Sequence, residues 1–242
     1  MPATPTWDET SPIDTTPSWE DTEPVNPDSL ASTSTAWQRF RWPAKLTMSV
    51  AQQLYEKGFT TYHRTDSLNL SNLALGTAKK FIIKNFGGNY YQFRKYKTKT
   101  KGAQEAHEAI RPAYSENAPG KISSKLEQNQ LKLYELIWRR FIACQMAQAV
   151  FDLTIVDIPA KNYTFRASGQ TLKFDGFLKV YPIKFEETEL PPLKVNEILE
   201  LIKLISSQHF TQPPPRYTEA TLIKALEMEG IGRPSTYAPI LS

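Results

Sequence analysis

The strongest constraint on this chain is a change of hydrophobic period near residue 148. Before it, Leu126, Leu133, Ile137, Phe141 and Cys144 recur at three-to-four spacings, the pattern of a helix with one core-facing stripe. After it, residues 150–158, 162–168, 171–181 and 197–206 are rich in β-branched and aromatic side chains, and Ser168-Gly169 reads as a hairpin turn. A helix-period pattern does not settle as a strand. The expected class is therefore α+β, with a helical part followed by a small antiparallel β region that Pro213-Pro214-Pro215 ends.

Local stop and start signals divide the rest. Residues 48–57 suit a helix closed by Gly58, and Phe59 to Tyr62 is a short β-prone run. Ser71 caps a second helix that runs to about Phe86, where Gly87-Gly88 stops it. Pro112 should end a short helical segment over 103–111, and Ser124 to Glu127 forms a capping box that opens a long helix to about Met146. Thr218 caps a helix over 219–229, and Pro234 starts another. The expected organisation is a tail over 1–36, a helical domain over 37–147, an antiparallel β region over 148–210 and an incomplete helical domain over 211–242.

Charge separates the tail from the body. Residues 1–36 hold seven acids, six prolines and thirteen Ser or Thr, without a Lys or Arg, so the overall +4 hides a body of +11. The tail cannot bury enough apolar surface to offset the entropy of ordering and is expected to be disordered. The body is an electrostatic match for a polyanion. No run approaches the ~18 apolar residues of a membrane span, and Met1 opens neither a signal nor a transit peptide. A single cysteine, Cys144, excludes an internal disulfide and a multi-Cys zinc site. The expected compartment is reducing and cytoplasmic.

Three clusters could carry chemistry. Tyr62 is followed by His63, Arg64, Thr65, Asp66 and Ser67. A free phenol ionises near about 10, so a nucleophilic tyrosine needs a cation or proton acceptor beside it. Arg64 would share its face if the strand continued, and its planar fork suits a phosphate. The same residues could equally make a salt-bridged turn. In the second cluster His107 and Arg111 are four apart and would share a helix face, next to a loop at 94–101 with five positive charges in eight residues. His107 could also be an ordinary surface or core histidine, and Glu105, His107 and Glu108 make only a thin set of metal ligands. The third cluster, Gly232 to Tyr237, places Arg233, Ser235 and Thr236 around the free N–H groups of a helix start: an anion site, or simply a cap.

Taken together and in order, Gln52 to Glu56 (QQLYE), Thr61 to Ser67 (TYHRTDS), Ala103 to Pro112 (AQEAHEAIRP) and Gly230 to Tyr237 (GIGRPSTY) resemble the type IA DNA topoisomerases, most of all the bacterial topoisomerase I group. Leu136 to Met146 and Gln208 to Glu219 strengthen the likeness, which covers about residues 44–242. The resemblance implies a tyrosine-bearing helical domain, a β arch and the first helices of a further domain. It implies that Tyr62 attacks a phosphodiester of single-stranded or underwound DNA and forms a 5′-phosphotyrosine, with Arg64 and His107 catalytic beside it. Gln52, Glu56, Thr61, Thr65, Asp66 and Arg111 would line the DNA near the break, and Arg233, Ser235 and Thr236 the strand upstream.

Resealing would need no ATP, because the phosphotyrosyl bond conserves the energy of the broken one. The family also implies Mg²⁺ held by an N-terminal Toprim half, which nothing in residues 1–43 resembles. The chain is thus expected to be a partial one, nucleoid-associated in the cytoplasm, with no metal site of its own and the Toprim half as a missing partner. His63 stands where the family commonly has Met. Two other readings stay open: a single-stranded DNA-binding module without chemistry, and a truncated product without catalysis.

Overall fold

The computed structural model describes residues 31–65, 67–96, 107–232 and 236–240. Its centre is helix α5, Gln128–Ala143. Leu133, Tyr134, Ile137, Trp138, Phe141 and Ile142 are buried along it, so two adjacent three-to-four stripes face inward rather than one. Each such side chain removed from water contributes roughly 1.5–3 kcal/mol. The two aromatic residues with polar tips keep them bonded: Tyr134 Oη donates to the Asn117 carbonyl at 2.7 Å and Trp138 Nε1 to that of Ser115 at 2.9 Å. These two bonds fix the segment leading away from residue 113 onto the core.

Against α5 pack α1 (Ala31–Phe40) and α2 (Ala44–Glu56), with α3 (Asn72–Phe86) and the single turn α4 (Pro119–Ile122) completing the helical body. The caps follow the local chemistry. Ser71 accepts from the Ala74 N–H at 3.3 Å to open α3, and Gly87 closes it. Gly58, at φ +73°, supplies the left-handed residue that ends α2. The box opening α5 is formed by Glu127 and Gln130, three residues later than the Ser124–Glu127 pair expected, because 123–125 form a short 3-10 turn.

The β region is smaller than expected. One antiparallel hairpin pairs β1 (Val150–Ala160) with β2 (Tyr163–Phe174). Its turn lies at Lys161-Asn162, with Lys161 at φ +57°, and not at Ser168-Gly169. Gly169 sits inside β2, opposite Thr154, for a different reason. A Cβ there would lie 2.8 Å from the Thr188 carbonyl oxygen and from Leu190, which cross over the strand. Gln170 and Thr188 exchange backbone bonds at that crossing, 2.7 and 3.0 Å. The expected strand over 171–181 ends early in a 3-10 turn at Gly176–Lys179, and 197–206 forms no strand.

At the hairpin's root, Phe151, Leu172, Phe177, Val180 and Tyr181 join the core of the body. Toward the tip the side chains are exposed, and so is most of 193–210, with Val195, Ile198 and Ile202 more than nine-tenths accessible.

After this extended stretch, α6 (Glu219–Met228) opens on Thr218 as expected, and the short α7 (Tyr237–Ile240) follows. They return to the body. Ala44, Ile223 and Tyr237 form a small second core, and Glu219 Oε2 accepts the Ala44 N–H at 3.0 Å, capping α2 from 175 residues away. Helix α1 packs against α6. Its residues 31–36 fall within the stretch expected to be disordered, yet Thr35 and Ala36 are buried. Tertiary docking, not local composition, makes this Ser/Thr-rich segment helical.

Candidate active site

Helix α2 ends beside Tyr62, and its spacing decides what it shows there. Gln52, Tyr55 and Glu56 are three and four apart and share one face, where Gln52 Nε2 donates to Glu56 Oε1 at 2.6 Å. Gly58 then turns the chain into residues 59–65. This stretch does not continue as a strand: one bridge, Thr60 to Pro112, is all the pairing it makes among the described residues. Burial nonetheless alternates along it, with Tyr62 and Arg64 exposed and His63 and Thr65 buried, so the two functional candidates share the solvent side without a strand ladder. Arg64 is exposed to solvent by its own turn, and Thr65 is buried, its Oγ1 accepting the Ser67 N–H at 3.0 Å.

Tyr62 is 37% exposed and stands among three rings. Tyr55 meets it edge-on at 5.3 Å between centroids, His63 at 5.5 Å and His107 at 5.6 Å. Edge contacts of this kind fix a ring's plane while leaving its rim open. The phenol is thus oriented and still reachable.

Of the helix expected over 103–111, residues 107–111 are described, and they do not form one. Residues 107–111 are irregular and stitched to the Tyr62 segment instead. Thr61 N–H donates to the Arg111 carbonyl at 2.9 Å, Thr61 Oγ1 donates to the Ala109 carbonyl at 2.8 Å and accepts the Arg111 N–H at 2.9 Å, and Ala109 N–H donates to the Asn69 carbonyl at 2.8 Å. His107 and Arg111 therefore share an irregular segment tied to Thr61, not a helix face. Arg111 is bound to protein: its guanidinium donates to Glu108 Oε2 at 2.5 Å and to the carbonyl of Pro112 at 3.0 Å.

Electrostatics around the ring cluster are uneven. His63 is 3% exposed, and neither of its ring nitrogens has a hydrogen-bond partner among the described residues. Burial lowers its pKa to about 4, helped by the nearby Arg64 charge and opposed by Glu56. It is a neutral imidazole at neutral pH. Glu108 is partly buried, which raises its pKa, but bonds from Ser71 and Arg111 outweigh this and the net shift is downward.

Mg²⁺ does not fit these groups. No three His, Cys, Asp or Glu side chains converge among the described residues. Both oxygens of Glu108 are already taken, by the Ser71 N–H and Arg111, and Glu56 is bonded to Gln52.

Of the residues expected at the site, Tyr62 meets His107 ring to ring, Thr61 is hydrogen-bonded to Arg111, and Gln52 and Glu56 pair on the α2 face whose Tyr55 touches Tyr62, with Arg64 exposed two residues on. Thr236 stands in an exposed turn before α7. Asp66, Arg233, Ser235, Glu105 and the 97–101 part of the basic loop lie outside the described residues; Arg94, at the head of that loop, is tied to the Met146 carbonyl and Gln92. Sequence reasoning passed over Tyr55, although its place between Gln52 and Glu56 on one face of α2 was readable. It also passed over Glu108 as a structural anchor, for which no local signal exists.

Comparison with known proteins identifies the chain's family. A family model described as DNA topoisomerase matches residues 15–242, starting well before the residue 44 from which the sequence motifs run. DNA topoisomerase 1 of Rickettsia felis is 48% identical over 225 residues, covering 86% of this chain and 29% of that protein. DNA topoisomerase 1 of Pseudomonas aeruginosa is 48% identical, covering 89% and 26%. Full-length topoisomerase I from Thermotoga maritima superposes with a TM-score of 0.75 at 32% identity, over 91% of this chain and 37% of that one. The chain thus spans less than a third of the length of the curated relatives it matches. With the family model matching from residue 15 to 242 and the tyrosine pocket assembled from the shared motifs, the chain belongs to the type IA DNA topoisomerase family.

Proposed function

We propose that this chain carries the nucleophile of a type IA topoisomerase acting on single-stranded or underwound DNA. The observation supporting it is Tyr62 itself: reachable at its rim, oriented by the rings of Tyr55, His63 and His107, with the exposed Arg64 two residues away. The phenolic oxygen attacks the scissile phosphorus and forms a P–O bond. The bond from phosphorus to the 3′ oxygen breaks, the phenol's proton leaves, and the released 3′ oxygen takes up a proton. A 5′-phosphotyrosine results, and the same steps in reverse reseal the strand without ATP. Arg64 offers a planar cation to the charge growing on the phosphate. Gln52, Glu56 and Thr61 hold the walls, and Arg233, Ser235 and Thr236 grip the strand further along.

Mg²⁺ and the remaining machinery belong, in this reading, to a Toprim half outside this chain, and the whole works on cytoplasmic, nucleoid-associated DNA. Among the described residues no helix is long and apolar enough to cross a membrane.

The test is to incubate the chain with single-stranded DNA labelled at its 3′ end, then denature and look for labelled protein. A 5′-phosphotyrosine keeps that label on the protein. An adduct formed by wild type and absent from Tyr62→Phe is the expected result. Salt-dependent binding without any adduct would replace this reading with a DNA-binding module.

A further inference from the structure

Arg111 is a basic residue within a motif that the family resemblance assigns to the DNA path, yet its charge is already paired. Its side chain is 13% exposed and forms a 2.5 Å ion pair with Glu108. Its remaining bonds go to the backbone carbonyls of Pro112 and Ala113. Glu108 does more than neutralise it. Its other oxygen accepts the backbone N–H of Ser71 at 2.8 Å, the residue that caps α3. One carboxylate therefore bridges the start of a 15-residue helix and the guanidinium of a segment hydrogen-bonded to Thr61, next to Tyr62. His107, whose ring packs on Tyr62, is the residue immediately before Glu108 in the chain.

We propose that Glu108 is the positioning residue of the pocket: it sets His107 against Tyr62 by clamping its segment to α3, and it withdraws Arg111 from DNA contact. Carboxylate chemistry fits both tasks. Two oxygens can take a backbone N–H and a guanidinium at once, and a charged acceptor makes each bond shorter and stronger than a neutral one. The consequence for nucleic acid is specific. Among the described residues of the pocket, Arg64 is then the cation left to meet the phosphate, and Arg111 counts toward architecture only.

The inference rests on the proposed function for its chemistry, but its electrostatic half can be read from binding alone. The experiment uses the full chain, wild type, Glu108→Gln and Arg111→Gln, with a 3′-labelled single-stranded oligonucleotide. Affinity is measured across salt concentrations, and adduct yield by denaturing trap. Glu108→Gln keeps an acceptor for Ser71 but unmasks Arg111. It should steepen the slope of log K against log salt by about 0.7, one extra phosphate contact on a single strand, while lowering adduct yield ~10-fold or more as His107 loses its setting. Arg111→Gln should leave the salt slope at its wild-type value.

A third readout needs no activity. The chain has three histidines, so the His107 ring resonance can be assigned by substitution, and it should move in Glu108→Gln. A shallower slope in Arg111→Gln, or wild-type slope and adduct yield in Glu108→Gln, overturns the inference. If wild type forms no adduct, the proposed function falls, while the slopes and the His107 resonance still decide the role of Glu108.

Discussion

The helical body and the hairpin with its following arm are built from equally apolar sequence, but only the body has somewhere to put it. In the body, Tyr134, Phe141, Leu133 and Ile142 are almost wholly enclosed. In the β region, Leu153, Ile155 and Phe165 are about half exposed, and Ile198 and Ile202 almost entirely so. The difference shows what holds the tyrosine pocket still. Tyr62 and His107 hang from α2, α3 and α5 through backbone bonds and buried rings, whereas among the described residues the hairpin packs into the core of the body at its root. Stability and pocket geometry therefore reside in the first region and should be nearly indifferent to the second.

Removing a large side chain from each region tests this most severely. Phe141→Ala opens a cavity in the middle of α5 and should cost about 3–5 kcal/mol, enough to abolish cooperative unfolding of a marginal domain. Ile155→Ala, midway along β1, should change stability by less than about 0.5 kcal/mol. Denaturant titrations followed by circular dichroism would measure both. Equal losses would mean the hairpin is part of the same cooperative unit throughout its length.

The same contrast governs what could be read from sequence. Caps and stops were legible because they are local: Ser71, Gly58, Gly87 and Thr218 each act within a few residues of themselves. Elements decided by distant partners were not. The hairpin turn looked as if it belonged at Gly169, but that glycine admits the chain at Thr188 and Leu190, and Lys161 takes the turn. Residues 103–111 carry a helix-like pattern, yet 107–111 take their bonds from Thr61 and Asn69 about forty to fifty positions earlier. Helix α1 depends on α6, near the other end of the chain. At the site, the motifs singled out Tyr62, Thr61, His107 and Arg111, which the fold brings together, but their burial and pairing were invisible: nothing local marks His63 as enclosed or Arg111 as neutralised.

Enclosure of His63 gives the body a pH dependence between about 4 and 6.5. Its native pKa, about 4, lies below the ordinary imidazole value of 6.5. The unfolded chain therefore takes up a proton, as pH falls through 6.5, that the folded chain refuses until about 4. Stability is full above 6.5 and declines across that window by an order of 2–3 kcal/mol. His63→Met should flatten this part of the profile. It also removes two buried nitrogens that have no partner among the described residues, so stability at pH 7 should hold or rise. Denaturation midpoints at pH 7 and pH 5 are the measurement. An unchanged pH slope in His63→Met would place the titration elsewhere in the body.

The smallest expected effect belongs to the best-formed ion pair of the hairpin. Arg166 meets Asp157 across the two strands with bonds of 2.7 and 3.1 Å. Its geometry is as good as that of Glu108 and Arg111, but both side chains are about half exposed or more. The arginine holds the Asp157 carboxyl below its usual range, yet water screens the attraction, and holding two long side chains together costs entropy. Asp157→Asn should leave the melting temperature unchanged within error, at low and at high salt. If Asp157→Asn instead lowered the melting temperature measurably, the hairpin would be contributing stability through its charged face, and its independence from the body would have to be abandoned.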